Sequence, residues 1–352
     1  MKIKHQVISL FSGAGGLDLG FESSGSFESI ACVEANAIYS ETLKLNKGIQ
    51  IGKEPLLESA TVLNCTVREF IDEHLIKFHT KHIDGIIGGP PCQPFSTIGK
   101  RLGMADPRAS TLSDYAEVVR IIEPKFFLFE NVPNLAWQWQ GKVLNDLLAI
   151  LECKGIYKIE WKIVNAADYG AFTKRRRLVV IGIRADCLKN TKESFFPLPT
   201  HFNPLLKNLQ GNSRWKTVAD ALLRLDSPNN SRGDFPTHHT AVSHTAEVVE
   251  RFKQLKPGEQ DKKRKRWRLD SEQPSNSLMA GGEGGYVFHI HPTSPRELTS
   301  RECARIQGFP DSFQFAGKPL DVAKQIVNAV PVQLGFTLAH GIAAHLGEEA
   351  HE

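Results

Sequence analysis

The sequence lacks the features of membrane, secreted and metal-cluster proteins. Its 352 residues contain no apolar run near the roughly 20 residues that a membrane-spanning helix needs. Residues 1–6 lack the apolar stretch of a secretory signal, so we expect a cytoplasmic protein without membrane contact. The six cysteines are scattered without a Cys-x-x-Cys pair, which argues against a disulfide framework and a zinc cluster. We therefore expect no metal.

The first half of the chain alternates short apolar runs with amphipathic stretches, which predicts a Rossmann-like α/β fold with a mostly parallel sheet. The predicted strands are residues 7–11, 29–33, 84–88, 125–129, 161–165 and 178–183. Helical spacing marks residues 115–122, 142–151, 299–306 and 332–346. Beyond about residue 184 the pattern is lost. We predict a catalytic domain of residues 1–185, completed by 318–352, and a smaller irregular domain of residues 186–317.

A glycine-rich turn, Ser-Gly-Ala-Gly-Gly at residues 12–16, follows the first predicted strand. Glycines let a ligand approach the backbone closely, and Glu34, about 20 residues on, can accept both hydroxyls of a ribose. Asp18 stands where a dinucleotide-binding turn has its third glycine, and a carboxylate there would oppose a pyrophosphate. The turn favours an adenosyl ligand over NAD; a purely structural turn is the alternative.

Cys92 lies in a stiff loop, Gly-Gly-Pro-Pro-Cys-Gln, directly after a predicted buried strand. Open α/β sheets bind ligands beyond the carboxyl ends of their strands, and the two prolines restrict the approach to the thiol. A packing role explains such a cysteine poorly. The position predicts a nucleophile.

Charged residues flank two further predicted strands: one carboxylate follows the strand 125–129, and two arginines precede the strand 178–183. Glu130 follows an apolar run of four residues and can exchange a proton with a ring nitrogen, although a capping role is the alternative. Arg175 and Arg177 would point the same way if the strand has already begun there, and arginines can hold a base oxygen and phosphates.

Basic residues cluster although the net charge is only +4. Six cations surround Trp267 in one short run, and such clusters neutralise phosphates. A solvated loop is the alternative. The members that we predict to contact DNA are Lys262, Lys263, Arg264, Lys265 and Arg266.

Four of these segments, in this order, resemble the motifs of the DNA cytosine-5 methyltransferase family of bacterial restriction-modification systems: the glycine-rich turn, the Pro-Pro-Cys loop, the Glu130 segment and the segment of Arg175 and Arg177. Residues 296–310 and 328–331 extend the resemblance, which covers about residues 5–183 and 290–346. It implies transfer of a methyl group from S-adenosylmethionine to carbon 5 of a flipped-out cytosine, leaving S-adenosylhomocysteine. It also implies double-stranded DNA as partner, a target-recognition domain in the irregular segment, a monomer, and a cognate endonuclease acting separately.

The resemblance assigns roles to individual residues. Cys92 would be the nucleophile, Glu130 the acid, and Arg175 and Arg177 the supporting cations. Gln93, Ser96, Lys100 and Arg108 would contact DNA from a mobile loop. The methyl donor would be lined by Phe11, Ser12, Gly13, Ala14, Gly15, Gly16, Leu17, Glu34, Ala35, Asn64, Thr66, Pro91, Leu112, Asn328 and Ala329.

The sequence departs from the family's pattern in three respects. Asn64 and Thr66 stand where an acidic residue usually contacts the adenine, Thr173 replaces a glutamine, and Val327 replaces a glycine. None touches the nucleophile. Three other functions remain open: a tRNA cytosine-5 methyltransferase of the same fold, a catalytically inactive DNA-binding homologue, and a nicotinamide-dependent oxidoreductase, which Asp18 and the Pro-Pro-Cys loop disfavour.

Overall fold

A computed structural model describes nine stretches of the chain: residues 4–52, 54–78, 82–91, 110–188, 193–204, 213–228, 237–263, 265–278 and 289–346. The chain divides into two compact units. The first unit comprises Met1–Val164, Arg176–Leu198 and Gly335–Glu352; the second comprises Asn165–Arg175 and Pro199–Leu334. The domain limits given above stay a prediction.

The first unit is built on a seven-stranded sheet. Its strands are β1 (His5–Leu10), β2 (Phe27–Val33), β3 (Thr61–Leu63), β4 (Gly85–Gly88), β5 (Phe126–Asn131), β6 (Tyr157–Asn165) and β7 (Arg176–Arg184). They lie in the order β3-β2-β1-β4-β5-β7-β6. The pairs from β3 to β5 are parallel, whereas β7 runs antiparallel to β5. The predicted mostly parallel α/β sheet is confirmed.

Both units contain helices. They are α1 (Gly16–Ser23), α2 (Ala37–Leu45), α3 (Ser110–Ile122), α4 (Lys142–Leu151), α5 (Val218–Leu222), α6 (Ala246–Gln254), α7 (Ser300–Ile306), α8 (Pro319–Asn328) and α9 (Val332–Leu346). Shorter helical turns lie at Val67–Glu69, Phe70–His74, Leu75–Phe78, Pro133–Ala136, Cys153–Gly155 and Ala166–Tyr169.

The first unit has an apolar core. Both inner residues of β4, Ile86 and Ile87, are fully buried, as are the four residues 126–129 of β5. Leu147 of α4 is also fully buried in this core. An alanine side chain at Gly85 would overlap the Phe126 ring, so the glycine is needed for close packing. Continuous apolar runs are typical of strands that are covered on both faces.

The last helix packs against the first one. A Cβ added at Gly335 of α9 would lie 3.2 Å from the Leu17 carbonyl oxygen and 3.3 Å from Gly20 Cα of α1. Leu338 and Ile342, on the same helix, are buried at 1% and 0% exposure. The sheet's first βα segment is therefore covered by residues from the far end of the sequence.

The second unit contains short pairs of strands. Residues His201–Phe202 pair with Ser213–Arg214, Gln260–Asp261 with Arg266–Trp267, and Thr173–Lys174 with Ser275–Asn276. In the first unit, Gln50–Ile51 pairs with Glu54–Pro55.

One segment, Pro319–Leu346, is long and apolar enough to pass a length-and-composition test for a membrane span. Two thirds of its apolar window (67%) is buried within the protein, and the segment consists of two helices, α8 and α9. A buried core helix passes the same test, so the segment is weak support for membrane contact.

Candidate active site

The loop after β4 and the end of β5 lie side by side, because Gly88 pairs with Phe129 in the sheet register. The Asn131 amide donates to the Pro90 carbonyl at 3.0 Å, and its own oxygen accepts from the Val132 backbone at 2.8 Å. Asn131 is 3% exposed. Because a buried amide with both ends bonded is hard to displace, it fixes the start of the Pro-Pro loop against the strand that carries Glu130.

Glu130 is held by an arginine from the neighbouring strand. Arg177 Nε lies 2.6 Å from Glu130 Oε1, and the two side chains are only 13% and 12% exposed. A Cβ added at Gly89 would lie 2.8 Å from Glu130 Oε2, so the second carboxyl oxygen faces the backbone of the loop after β4. The pair places a fixed carboxyl group beside the loop that leads into Cys92.

The predicted nucleophile and the loop after it, residues 92–109, lie outside the described residues. This applies to Cys92, Gln93, Ser96, Lys100 and Arg108, whose assignments stay predictions. Pro91, the last residue described before that segment, is exposed.

Arg175 differs in setting from Arg177. It precedes β7, which begins at Arg176, so the condition under which both would point the same way is not met. Arg175 is 4% exposed, belongs to the second unit, and donates to the Asn328 carbonyl at 3.3 Å. Its role as a catalytic cation stays a prediction.

The glycine-rich turn has unusual backbone angles. Three residues have left-handed backbone angles: Phe11 (φ 54°), Gly13 (φ 58°) and Gly15 (φ 81°). For Phe11, which is not a glycine, this conformation costs energy that the surrounding structure must offset. The Ser12 amide donates to the Val33 carbonyl at 3.2 Å, tying the turn to β2. Open space surrounds the position that a Cβ at Gly13 would occupy, so a ligand can approach the backbone there.

Glu34 bridges the two loops of this edge. Its Oε2 accepts from the Gly13 amide and its Oε1 from the Asn36 amide, both at 2.8 Å. Burial raises the pKa of Glu34, although these two backbone donors lower it. Because each carboxylate oxygen can accept more than one hydrogen bond, Glu34 can clamp the turn and still accept ribose hydroxyls.

Asp18 does not act as expected. The argument against NAD placed its carboxylate opposite a pyrophosphate, but Asp18 is 0% exposed and accepts from the Cys32 thiol at 3.6 Å. Burial raises its pKa to about 6. The side chain is thus enclosed by the first unit, and it no longer argues against a dinucleotide.

The two residues at the acidic position have structural partners. The Asn64 amide donates to the carbonyls of Glu34 and Ala35, both at 3.0 Å. Thr66 caps the helical turn that follows, exchanging hydrogen bonds with Glu69. The Asn64 carbonyl oxygen is the atom that can accept from an adenine amino group.

The remaining donor-site candidates are spread over both units. Leu112, in the first turn of α3, is 3% exposed. Asn328 is exposed and ends α8, and Ala329 follows it with 8% exposure. Both belong to the second unit. Among the described residues, no group of three or more His, Cys, Asp or Glu side chains could hold a metal.

Sequence reasoning gave no role to Gly89 and Asn131, although both position the Glu130 site. Asn131 carries a local signal, because it is a polar residue that directly follows Glu130 at the end of an apolar run. Gly89 could not be identified, since its requirement arises from a contact with a different strand.

The chain resembles known proteins in sequence and in fold. The family described as C-5 cytosine-specific DNA methylase matches residues 5–344. The chain is 33% identical to the Type II methyltransferase M1.HphI of Haemophilus parahaemolyticus, over 95% of this chain and 86% of that protein. It is 32% identical to M.FnuDI of Fusobacterium nucleatum, over 98% and 96%. A solved E. coli structure, named for a prophage-encoded DNA modification methyltransferase, superposes with a TM-score of 0.75 at 27% identity, covering 97% of this chain and 99% of that one.

Proposed function

The chain belongs to the C-5 cytosine-specific DNA methylase family, and we propose that it methylates carbon 5 of a flipped-out cytosine in a specific double-stranded DNA sequence through a covalent Cys92 adduct. The two relatives are Type II methyltransferases, which supports the role of a modification enzyme in a restriction-modification system. A cognate endonuclease would act separately, and the enzyme would act as a monomer.

Cys92 is needed because carbon 5 of cytosine is too weak a nucleophile on its own. Addition of the Cys92 thiolate to carbon 6 forms a C–S bond and converts the ring into an enamine, so that carbon 5 can take a methyl group. A base then removes the carbon 5 proton, the C–S bond breaks, and the thiolate leaves as the ring regains aromaticity. The stacked duplex must release the base first.

Glu130 would control the electrons of the ring. A proton or hydrogen bond at ring nitrogen 3 draws electron density from carbon 6 and makes the thiolate addition favourable. Arg177 binds Oε1 and leaves Oε2 toward the loop before Cys92, which suits a carboxyl group that must keep one orientation. A fixed orientation lowers the entropic cost of reaching the transition state.

S-adenosylmethionine fits the glycine-rich edge of the sheet and, when bound, supplies an electrophilic methyl group. The left-handed turn with open space at Gly13 admits a ligand close to the backbone, and Glu34 would hold the ribose hydroxyls. Ser12, Ala14, Gly16 and Leu17 would line the turn, with Ala35, Asn64, Thr66, Pro91 and Leu112 around the adenine. Asn328 and Ala329 stay candidates that the resemblance assigns to the same ligand.

The second unit would recognise the target sequence. It contains residues 199–334, most of the segment that lacks regular periodicity. Sequence readout in duplex DNA needs side chains that reach the major groove, and short strands joined by loops can supply them. The single observation that carries the proposal is the Glu130–Arg177 pair fixed beside the loop that enters Cys92.

Duplexes containing 5-fluorocytosine test the mechanism. Fluorine cannot leave carbon 5 as a cation, so the adduct should persist as a denaturant-resistant protein–DNA complex that forms only with methyl donor. Cys92→Ser should abolish it, because a hydroxyl is far less nucleophilic than a thiolate. Cys187→Ser, at a partly exposed cysteine beside Asp186, is the matched control and should still form the complex.

A crosslink that survives in Cys92→Ser, or that maps to another cysteine, would overturn the assignment. Bisulfite sequencing of DNA from expressing cells reports activity and target sequence together. If tRNA rather than DNA carries the new 5-methylcytosine, the proposed substrate is wrong and the protein is a tRNA cytosine-5 methyltransferase of the same fold.

A further inference from the structure

Among the described residues of the basic run at 262–268, Arg266 and Arg268 are bonded within the second unit, whereas Lys262, Lys263 and Lys265 are exposed. Arg266 forms an ion pair with Glu297, and the two side chains are 12% and 2% exposed. Arg268 donates to the carbonyls of Phe252 at 2.8 Å and Leu255 at 3.1 Å, capping the end of α6. Both guanidinium groups are used inside the second unit, so neither is placed as a free phosphate ligand.

The lysines occupy the tip of a β-hairpin. Residues 262–265 connect the antiparallel strands Gln260–Asp261 and Arg266–Trp267, and Lys262, Lys263 and Lys265 are exposed. Lys263 Nζ lies 3.0 Å from Glu247 Oε1, and the two side chains are 68% and 74% exposed. Such an exposed ion pair is weak, so Lys263 can exchange Glu247 for another anion. Arg264 lies outside the described residues.

The base of the hairpin is rigidly held. Asp261, 1% exposed, accepts from Arg251 Nε at 3.1 Å, and its carbonyl accepts from the Lys265 amide at 2.6 Å. The Gln260 amide side chain donates to the Lys265 carbonyl at 3.0 Å, and Lys265 itself is left-handed at φ 53°. A tip fixed in this way presents its ammonium groups with little loss of backbone entropy on binding.

We propose that this hairpin tip is a sequence-independent binding site for the phosphate backbone of duplex DNA. Lysine is a hydrated point charge without the planar fork of arginine, so three exposed lysines are suited to neutralising phosphates, and phosphate contacts carry no sequence information. Arg266 and Arg268, the arginines of the run that the structure describes, are used to build the hairpin. This inference rests on the proposed function for its choice of DNA.

The test is the salt dependence of binding to a mixed-sequence duplex, measured by fluorescence anisotropy. Each phosphate contact contributes about 0.9 to the slope of log affinity against log salt. Lys262→Gln/Lys263→Gln/Lys265→Gln should flatten the slope by about 1–3 and raise the KM for DNA. At saturating DNA, kcat and the methylated sequence, read by bisulfite sequencing, should stay unchanged.

The matched control removes three exposed lysines from the first unit: Lys44, Lys154 and Lys158. They lie near the end of α2 and after α4, toward the amino ends of the sheet and away from Glu130. This variant should keep the parent slope. Equal slopes for the hairpin variant and the parent would overturn the proposal, as would equal flattening by the control. An altered methylation sequence would show that the tip reads bases. A parent protein that deposits no 5-methylcytosine refutes the proposed function but leaves the slope comparison valid.

Discussion

The two units bury different kinds of side chain. The first unit is centred on an apolar cluster in which Phe127, Phe129 and Leu147 have no exposure. In the second unit the largest fully buried side chain is Arg301, which donates to the carbonyls of Thr237, Pro310 and Phe313. Apolar burial tolerates changes in shape better than a buried cation tolerates the loss of its partners. Substitutions should therefore destabilise the two units through the loss of different interactions.

The largest effect is expected from Arg301→Met. Three buried carbonyls would lose their donor, each at about 1–3 kcal/mol, so we expect a loss of about 3–5 kcal/mol. Hydrogen exchange read by mass spectrometry should show faster exchange in residues 199–334, with the central sheet unchanged. Arg305→Met, whose partner Asp311 is partly exposed, is the control with a smaller effect. Faster exchange confined to the sheet would contradict the comparison.

Leu147→Ala makes the matching change in the first unit. The cavity in the apolar core should lower the free energy of unfolding by about 2–4 kcal/mol. Here hydrogen exchange should accelerate in the sheet and in α4. Ile150→Ala, on the same helix but 40% exposed, should have little effect. Equal losses for both substitutions would mean that α4 is not packed as described.

Glu34→Ala should weaken methyl-donor binding by about 1.5–3 kcal/mol, the scale of a hydrogen bond to a charged group. The loss would come from the proposed ribose contacts and from release of the Gly13 amide. Calorimetry with S-adenosylhomocysteine measures it without requiring activity. Glu34→Gln, which keeps acceptor capacity, should lose less. Unchanged affinity in both would remove Glu34 from the site.

The smallest effect expected for a single residue is on the pH dependence of stability, which should differ in sign between the two units. Burial lowers the pKa of His289 and His291 from 6.5 to about 4. The stability that these buried neutral histidines give the second unit is therefore complete above pH 6.5 and is lost as pH falls toward 4. Burial raises the pKa of Asp18 to about 6 and of Glu22 to about 7, so their neutral forms favour folding as pH falls from 7 to 5.

Between pH 7 and 5 each histidine should therefore cost the second unit about 1–2 kcal/mol, whereas the first unit gains stability. Exchange rates corrected for intrinsic chemistry measure both trends. His291→Gln should flatten the trend of the second unit, and Asp18→Asn that of the first. Parallel trends in the two units would refute the assignment of opposite signs.

The elements readable from the sequence are those whose signal is local. The apolar runs of β4 and β5 and the spacing of α4 predict their own structure, and the polar residues that end the runs predict the site. β3 was missed because Thr61–Leu63 is three residues at the sheet edge. The settings of Asp18, Arg175 and Arg266 depend on partners distant in sequence, which no local pattern contains.

The contact between α1 and α9 can form only late in synthesis of the chain. Leu17 leaves the ribosome some 300 residues before Gly335, an interval of about 15–60 s at 5–20 residues per second. During that time the glycine-rich turn can form its strand–helix unit, but the surface that will receive Gly335 has no covering helix. A nascent chain halted before residue 335 should expose the apolar face of α1 to chaperones. The edge that carries the glycine-rich turn therefore reaches its final packing only after the entire second unit has been translated.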